Sequence, residues 1–294
     1  MRHTILLQAV TPIAHGDTVT GIDNQTNTRI FMRQGMIVDG KPGRVPSISE
    51  NALRAVLFRN PLHDDLLSRL AIGRGELPQS VVNLLFSGGN MAAGSRAPGD
   101  EMALGHQIKR LYPSLDLLGG AVDGFILPRS RLRLSAWLIA REYLPALRLI
   151  VPRLAESLDA AEVLVGVLQE AEGISAYDML TEETRTRGTG AESDGNQMLY
   201  TYETLAAGAK LLVEVSLDMH TPAATRASLA HAITCWDGYI GGQGRQGRGR
   251  MAVLASDLVP ADAYLAHIEA SRDAMRQGLT TGGLGTAKLL CAPK

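Results

Sequence analysis

Ten consecutive positions, Gly241 to Arg250, hold five glycines and three arginines, in a chain whose net charge is only −1. Glycine lets a backbone adopt positive φ and lie close to another molecule. Arginine supplies planar forks that match phosphate oxygens. A nucleotide cradle would use both, but such loops run from a strand into a helix, so that the helix N-terminus meets the phosphate. Here a helical pattern precedes the loop and a strand pattern follows it. The helix end that faces the loop has the wrong dipole sign for an anion, and no Gly-Lys-Ser/Thr occurs. An NTPase loop is therefore excluded. A turn that needs positive φ explains some of the glycines, but not Arg245, Arg248 and Arg250 at near-alternate positions. Bare backbone beside arginine forks suits close approach to an RNA sugar-phosphate chain.

Few other residues stand out as chemistry. His15 precedes Gly16 at the end of an apolar run, and no second ligand lies at metal spacing from it. Cys235 and Cys291 are the only cysteines, too few for a disulfide framework or a zinc set. Cys235 falls within a helical pattern and reads as a small buried apolar residue. No metal and no cofactor is expected. Five of the 29 basic residues are lysine and the rest arginine. A GC-rich genome accounts for that excess as well as function does, so only clustering is informative.

The elements that must position these residues follow from pattern. With 294 residues and 45% hydrophobic content the chain can bury one large core or two modest ones. Aromatics at 4% argue against recognition mainly by base stacking. No apolar run reaches the ~18 residues of a membrane span, and the first residues lack a signal peptide's core and cleavage site. A cytoplasmic protein with no membrane partner is expected. "HTILLQAVTP" predicts a strand, and Ile13 to Arg44 a long loop without helical periodicity. "VPSISENALRAVLFRNP" predicts a helix with Ser47 and Glu50 as a capping box and Pro61 as its end. Residues 62–115 read as an insertion. "GAVDGFILPRSRLRLSAWLI" has strand character, with Phe125, Leu127, Leu132 and Leu134 as core positions. Residues 143–172 are helical in part, and "TEETRTRGTGAESDGNQ" is an exposed projection. Leu211, Val213, Val215, Leu217 and Met219 alternate as one face of a strand. The next helix has Thr221 as its cap, Pro222 at its first position and Gly238 past its end. "GRMAVLASDL" is a strand and Ala261 to Arg276 a last helix. Strand, helix, strand, then strand, helix, strand is the α+β ferredoxin-like or RRM plan.

At this point the chain resembles the RAMP superfamily of CRISPR RNA-binding proteins, whose signature is a Gly-rich loop between the last helix and last strand of such a core. "LLQAVTPIAHGD" is similar to the family's first strand and His-Gly turn. "VPSISENALRAVLFR" is similar to its "iPGSSlKGalR" helix start, with Pro46, Ser47, Ser49 and Arg54 in matching roles. "LLGGAVDG" resembles its "LFG" segment, and "YETLAAGAKLLVEVSL" the glutamate, glycine and strand after its thumb. The resemblance runs from about 3 to 59 and 115 to 256, and is closest to the effector backbone subunit of type III or type IV, the Cas family seven-like group. It implies a palm of residues 1–61 and 116–294, a thumb hairpin at about 178–203 and a finger-like helical insertion at 62–115.

It also implies a function: a crRNA-binding subunit in antiviral defense that polymerises head to tail along the guide, beside other effector subunits, and presents the guide to target DNA or RNA by base pairing. The RNA-binding residues it implies are His15, Gly16, Ser47, Ser49, Asn51, Arg54, Arg59, Met198, Gly242, Gly244, Arg245, Arg248 and Arg250. Met198 would wedge the kinked guide, or else fill a core gap, and Tyr200 and Tyr202 would support the thumb base. The family's second glycine is Ser47 here, and its helix Lys-Gly is Asn51-Ala52; these departures favour type IV. "GIDN", Gly21 to Asn24, is similar to the type III motif whose aspartate cuts target RNA. Asp23 holds that position, so an endoribonuclease is the alternative to binding without catalysis. A guide-processing enzyme on the same fold would need a histidine with tyrosine or lysine, and no such set is evident.

Overall fold

The computed structural model describes residues 1–20, 26–89, 101–122, 125–155, 161–187 and 198–281. β1 (Arg2–Ala9) is followed by β2 (Gly16–Thr20) paired with β3 (Thr26–Phe31), and by β4 (Arg33–Val38) paired with β5 (Lys41–Pro46). A long helix comes next, in three parts: α1 (Glu50–Leu53), a π-helical stretch Arg54–Arg59, and α2 (Asn60–Arg69). α3 (Gln79–Ser87), α4 (Glu101–Leu111) and α5 (Pro113–Leu118) lead to the short pair β6 (Ala121–Val122) and β7 (Phe125–Ile126), then β8 (Arg133–Leu138). The chain continues through α6 (Leu144–Ala155), α7 (Ala161–Gly173), the hairpin of β9 (Leu180–Arg187) and β10 (Met198–Leu205), β11 (Lys210–Ser216), α8 (Ala223–Cys235), β12 (Met251–Ser256) and α9 (Asp262–Thr280).

The protein is α+β. Its central sheet has the order β12-β1-β11-β8, with every neighbouring pair antiparallel. β1 sits inside because its apolar run suits neither face to water: Ile5, Leu6 and Leu7 are all buried. Residues of the 62–115 segment, among them Leu62, Leu84, Ile108 and Leu115, join the same buried cluster as Ile5. That segment packs onto the core rather than forming a core of its own. A second sheet, β2-β3-β10-β9, ties the first hairpin to the β9–β10 hairpin, with β3 and β10 parallel.

Several expectations are corrected. The segment read as a loop from Ile13 to Arg44 carries four strands, β2 to β5. Its strands are polar and leave few apolar positions to alternate, and the β4–β5 turn is Asp39-Gly40 with both residues at positive φ, a strong hairpin turn. Pro61 does not end the helix, which runs on to Arg69. The π-helical stretch lies directly upstream of it, where wider i→i+5 bonding accommodates the proline's missing N–H. Ser49, not Ser47, caps α1: its Oγ accepts the Ala52 N–H at 3.3 Å, an arrangement that stabilises a helix start by about 1 kcal/mol. Thr221 precedes the cap of α8, Pro222, and its hydroxyl donates to the Asp218 carbonyl at 2.6 Å. β11 stops at Ser216, so Met219 is exposed, while Leu211, Val213 and Val215 are buried as expected. Leu127, Leu132 and Leu134 are core residues; the Phe125 side chain lies outside the described residues.

Candidate nucleic-acid interface

The glycine-arginine loop is laid against the chain that leaves β1. The Gly242 N–H donates to the Ala14 carbonyl at 2.7 Å, the Gly249 N–H to Pro12 at 2.8 Å, and the Val10 N–H to Arg250 at 2.7 Å. Gly241 and Gly249 are required by this path. Both have positive φ, and a Cβ would lie 2.4 Å from the Ala14 oxygen at Gly241 and 2.1 Å from the Ile240 oxygen at Gly249. Gly242 and Gly244 are different. Neither has positive φ, both are exposed, and an added Cβ would meet only ordinary contacts at 3.7–3.8 Å. Nothing within the protein demands glycine there.

Those two glycines face a groove made of three hollows in sequence. One, of about 720 Å³, is lined by Arg33, Arg44, His15 and Gly16. The next, of about 370 Å³, shares His15 and Gly16 and adds Ala52, Ala55, Tyr202 and Gly242. The third, of about 630 Å³, shares Gly241 and Val56 with it and reaches Gly244, Arg245 and Asn60. The floor is glycine, alanine and valine; Arg29, Arg33, Arg44 and Arg245 stand along it, with Glu203, Asp64 and Asp237 among them. Arg245 and Arg250 are exposed, with no carboxylate partner among the described residues. Arg29 stands 5.8 Å over the Tyr202 ring, and Arg33 is held by Glu203 at 2.7 Å.

The residues named from sequence divide between this groove and the interior. His15, Gly16, Gly242, Gly244 and Arg245 line it. His15 also shapes it, because its Nε2 accepts the Ser49 N–H at 3.1 Å and so fixes the helix start beside the first hairpin. Gly16 is forced by strand pairing: a Cβ would lie 1.8 Å from the Ile30 oxygen. Asn51 is exposed next to the capping Ser49. Ser47 is buried, and its N–H donates to Met32 at 2.9 Å.

Three arginines turn inward. Arg54 donates to Ser130 Oγ at 3.1 Å and the Leu132 carbonyl at 3.0 Å. Arg59 is buried and donates to the Leu84 carbonyl at 3.2 Å. Burial lowers the pKa of both. Arg248 is 3% exposed, donates to Glu183 and, at 2.6 Å, to Gln243, and lies over the Tyr202 ring. It clamps the glycine loop to the β9–β10 hairpin. Met198 opens β10, and its side chain lies outside the described residues, as does Asp23, which falls between β2 and β3.

Cys235 is not simply apolar. Its Sγ lies 3.3 Å from His231 Nε2, which is 2.6 Å from Asp65 Oδ2. Arg69 donates to the same oxygen at 2.6 Å. Burial pushes the thiol up to about 11, so it stays protonated and serves as a polar tie between α2 and α8.

The chain can now be set beside known proteins. The fold is shared with a chain of a Type IV-B CRISPR complex. The two are 20% identical, with a TM-score of 0.57 over 87% of this chain and 91% of the other. A chain from a Type III-B Cmr-beta complex bound to cognate target RNA is 11% identical, covering 87% and 97% of the two chains with a TM-score of 0.45. Csc2 of Thermofilum pendens is 14% identical, covering 96% and 76% with a TM-score of 0.38. No protein-family model and no curated protein sequence matches the chain. Among the described residues, no helix is long and apolar enough to cross a membrane.

Proposed function

We propose that this chain is a backbone subunit of a CRISPR effector ribonucleoprotein, of the type IV kind, which holds guide RNA along the glycine-floored groove and stacks head to tail with copies of itself. The observation that carries this reading is the pair Gly242 and Gly244: exposed glycines in a groove with arginines, which the fold itself does not require. Such positions leave room for a sugar-phosphate backbone to lie against the main chain. The shared fold with the Type IV-B chain supports it. So does the strand order, in which the first and third strands of a βαββαβ core lie at the centre; we read this as a ferredoxin-like palm. The β9–β10 hairpin is then the thumb, residues 62–115 the fingers, and other effector subunits and base-paired target DNA or RNA the further partners.

The chain binds without cutting in this reading, consistent with the drifted helix start at Ser47 and Asn51-Ala52. RNA that co-purifies with the chain and fractionates with multimers on size exclusion is the expected result. Arg245→Ala with Arg250→Ala should weaken RNA binding for all sequences alike and lower the log–log salt slope by about 1.4, roughly 0.7 per lost phosphate contact on a single strand. An unchanged slope with an intact fold would refute the groove. Complementary RNA with Mg²⁺ should stay whole; regular fragments that vanish in Asp23→Ala would replace the binding role with the endoribonuclease one.

A further inference from the structure

A second basic surface lies away from the groove. An open cleft of about 730 Å³ is lined by Lys109, Arg110, Arg129, Arg131 and Arg133, against the two carboxylates Asp116 and Asp218. Its geometry is built rather than incidental. Asp116 is buried and accepts from Arg131 Nε at 2.8 Å and from Thr225 at 2.9 Å, with Lys109 Nζ 3.2 Å away. Lys109 in turn donates to the Arg129 carbonyl at 2.7 Å, which fixes the segment that carries the arginines. One carboxylate is thus spent on the inner cations. Arg110, Arg129 and Arg133 are left exposed on the rim, and none forms a salt bridge among the described residues; Asp218 shares the cleft, its pKa lowered first by the His220 N–H and then by the charges of Arg131 and Arg133.

The cleft and the groove lie at opposite ends of the central sheet. Ser216, in the cleft wall, pairs with Arg2 at the start of β1 and with Arg133 at the start of β8. The glycine loop bonds to the chain just beyond Ala9, at the end of β1. The seven residue-to-residue steps from Arg2 to Ala9 along β1 separate them, roughly 23 Å at ~3.3 Å per step.

We infer that this cleft binds the phosphate backbone of a second nucleic-acid strand, separate from the one in the groove. The inference rests on the guide-binding reading only for the identity of that first strand. Three exposed guanidinium forks, with the Asp218 carboxylate beside Arg133 and no salt bridge to hold any of them, call for an anion with several charges in a row. The lining carries five basic side chains against two carboxylates, beside Leu217, Met219 and two prolines and with no Phe, Tyr or Trp, a charge balance that suits a polyanion.

The test uses the full chain as purified, with its bound RNA measured first. A labelled single-stranded DNA with no complement to that RNA is then titrated across salt concentrations. In Arg129→Ala with Arg133→Ala, DNA affinity should fall about twentyfold at 0.1 M salt and the log–log slope by about 1.4, for two lost phosphate contacts. Bound RNA and thermal stability should not change. Arg110→Glu gives the same direction from another element. Unchanged affinity and slope would overturn the inference, as would loss of a co-purifying acidic protein with DNA binding intact. Loss of bound RNA in step with the DNA would make the cleft part of the guide's own path and overturn it too. If the wild-type chain carries no RNA, the guide-binding reading fails while the DNA titration still decides the cleft.

Discussion

Four glycines in one loop do two different jobs. Gly241 and Gly249 hold a backbone that side chains would block, whereas Gly242 and Gly244 leave a surface bare. Substitution separates the two roles. Gly241→Ala should destabilise the protein by about 2 kcal/mol or more, because it combines positive φ with a clash against the Ala14 carbonyl. Gly242→Leu should leave the urea midpoint unchanged and reduce RNA affinity at least tenfold. A stability loss in the second variant equal to the first would remove the argument for a ligand. At His63 the chemistry is purely structural. Its ring is fully buried, with Nδ1 2.5 Å from the Leu85 carbonyl and Nε2 3.2 Å from Ser114 Oγ. Desolvation, and then the nearby Arg59 charge, lower its pKa to about 3. Between that value and the unfolded ~6.5 the unfolded chain binds the extra proton, so stability falls with pH in this window. From pH 7 to pH 5 His63 should cost about 2 kcal/mol, a range in which most carboxylates stay ionised. Urea unfolding at the two pH values should show this loss, and His63→Gln should shrink it.

Among the elements, the β9–β10 hairpin and the glycine loop are coupled through one side chain. Arg248 reaches from the loop to Glu183 on β9, across the Tyr202 ring of β10. Arg248→Ala should cost about 1–3 kcal/mol by removing a buried guanidinium together with its hydrogen bonds to Glu183 and Gln243. It should raise amide exchange in residues 241–250 and in β9 while leaving β1 and β11 protected; uniform exchange would mean no coupling. That role could not be read from the sequence, where Arg248 is one of three similar arginines and Glu183 lies 65 positions away. Arg54 and Arg59 were hidden for the same reason, because Ser130, Leu132 and Leu84 are distant in sequence. The central strands and α8 were legible, since burial imposes alternation or a clear helical period. Strands β2 to β5 were not, because polar hairpins bury too little for a pattern to form, although Asp39-Gly40 was a readable turn. The alternation of Arg129, Arg131 and Arg133 was also in plain view, but Leu127, Leu132 and Leu134 around them marked the stretch only as core.

The whole molecule is a folded body with two separate arginine-bearing faces. A groove at one end of the sheet is floored by small residues, and a cleft at the other is walled by arginines. Head-to-tail stacking of such a body generates an open filament rather than a closed ring when the rotation does not close. RNA contact along the groove can be read directly. Ultraviolet crosslinking of the chain to its co-purified RNA, followed by peptide mass spectrometry, should place the crosslinks in residues 13–16, 44–56 and 239–250. Crosslinks confined to other segments, or a chain that purifies without RNA, would contradict it.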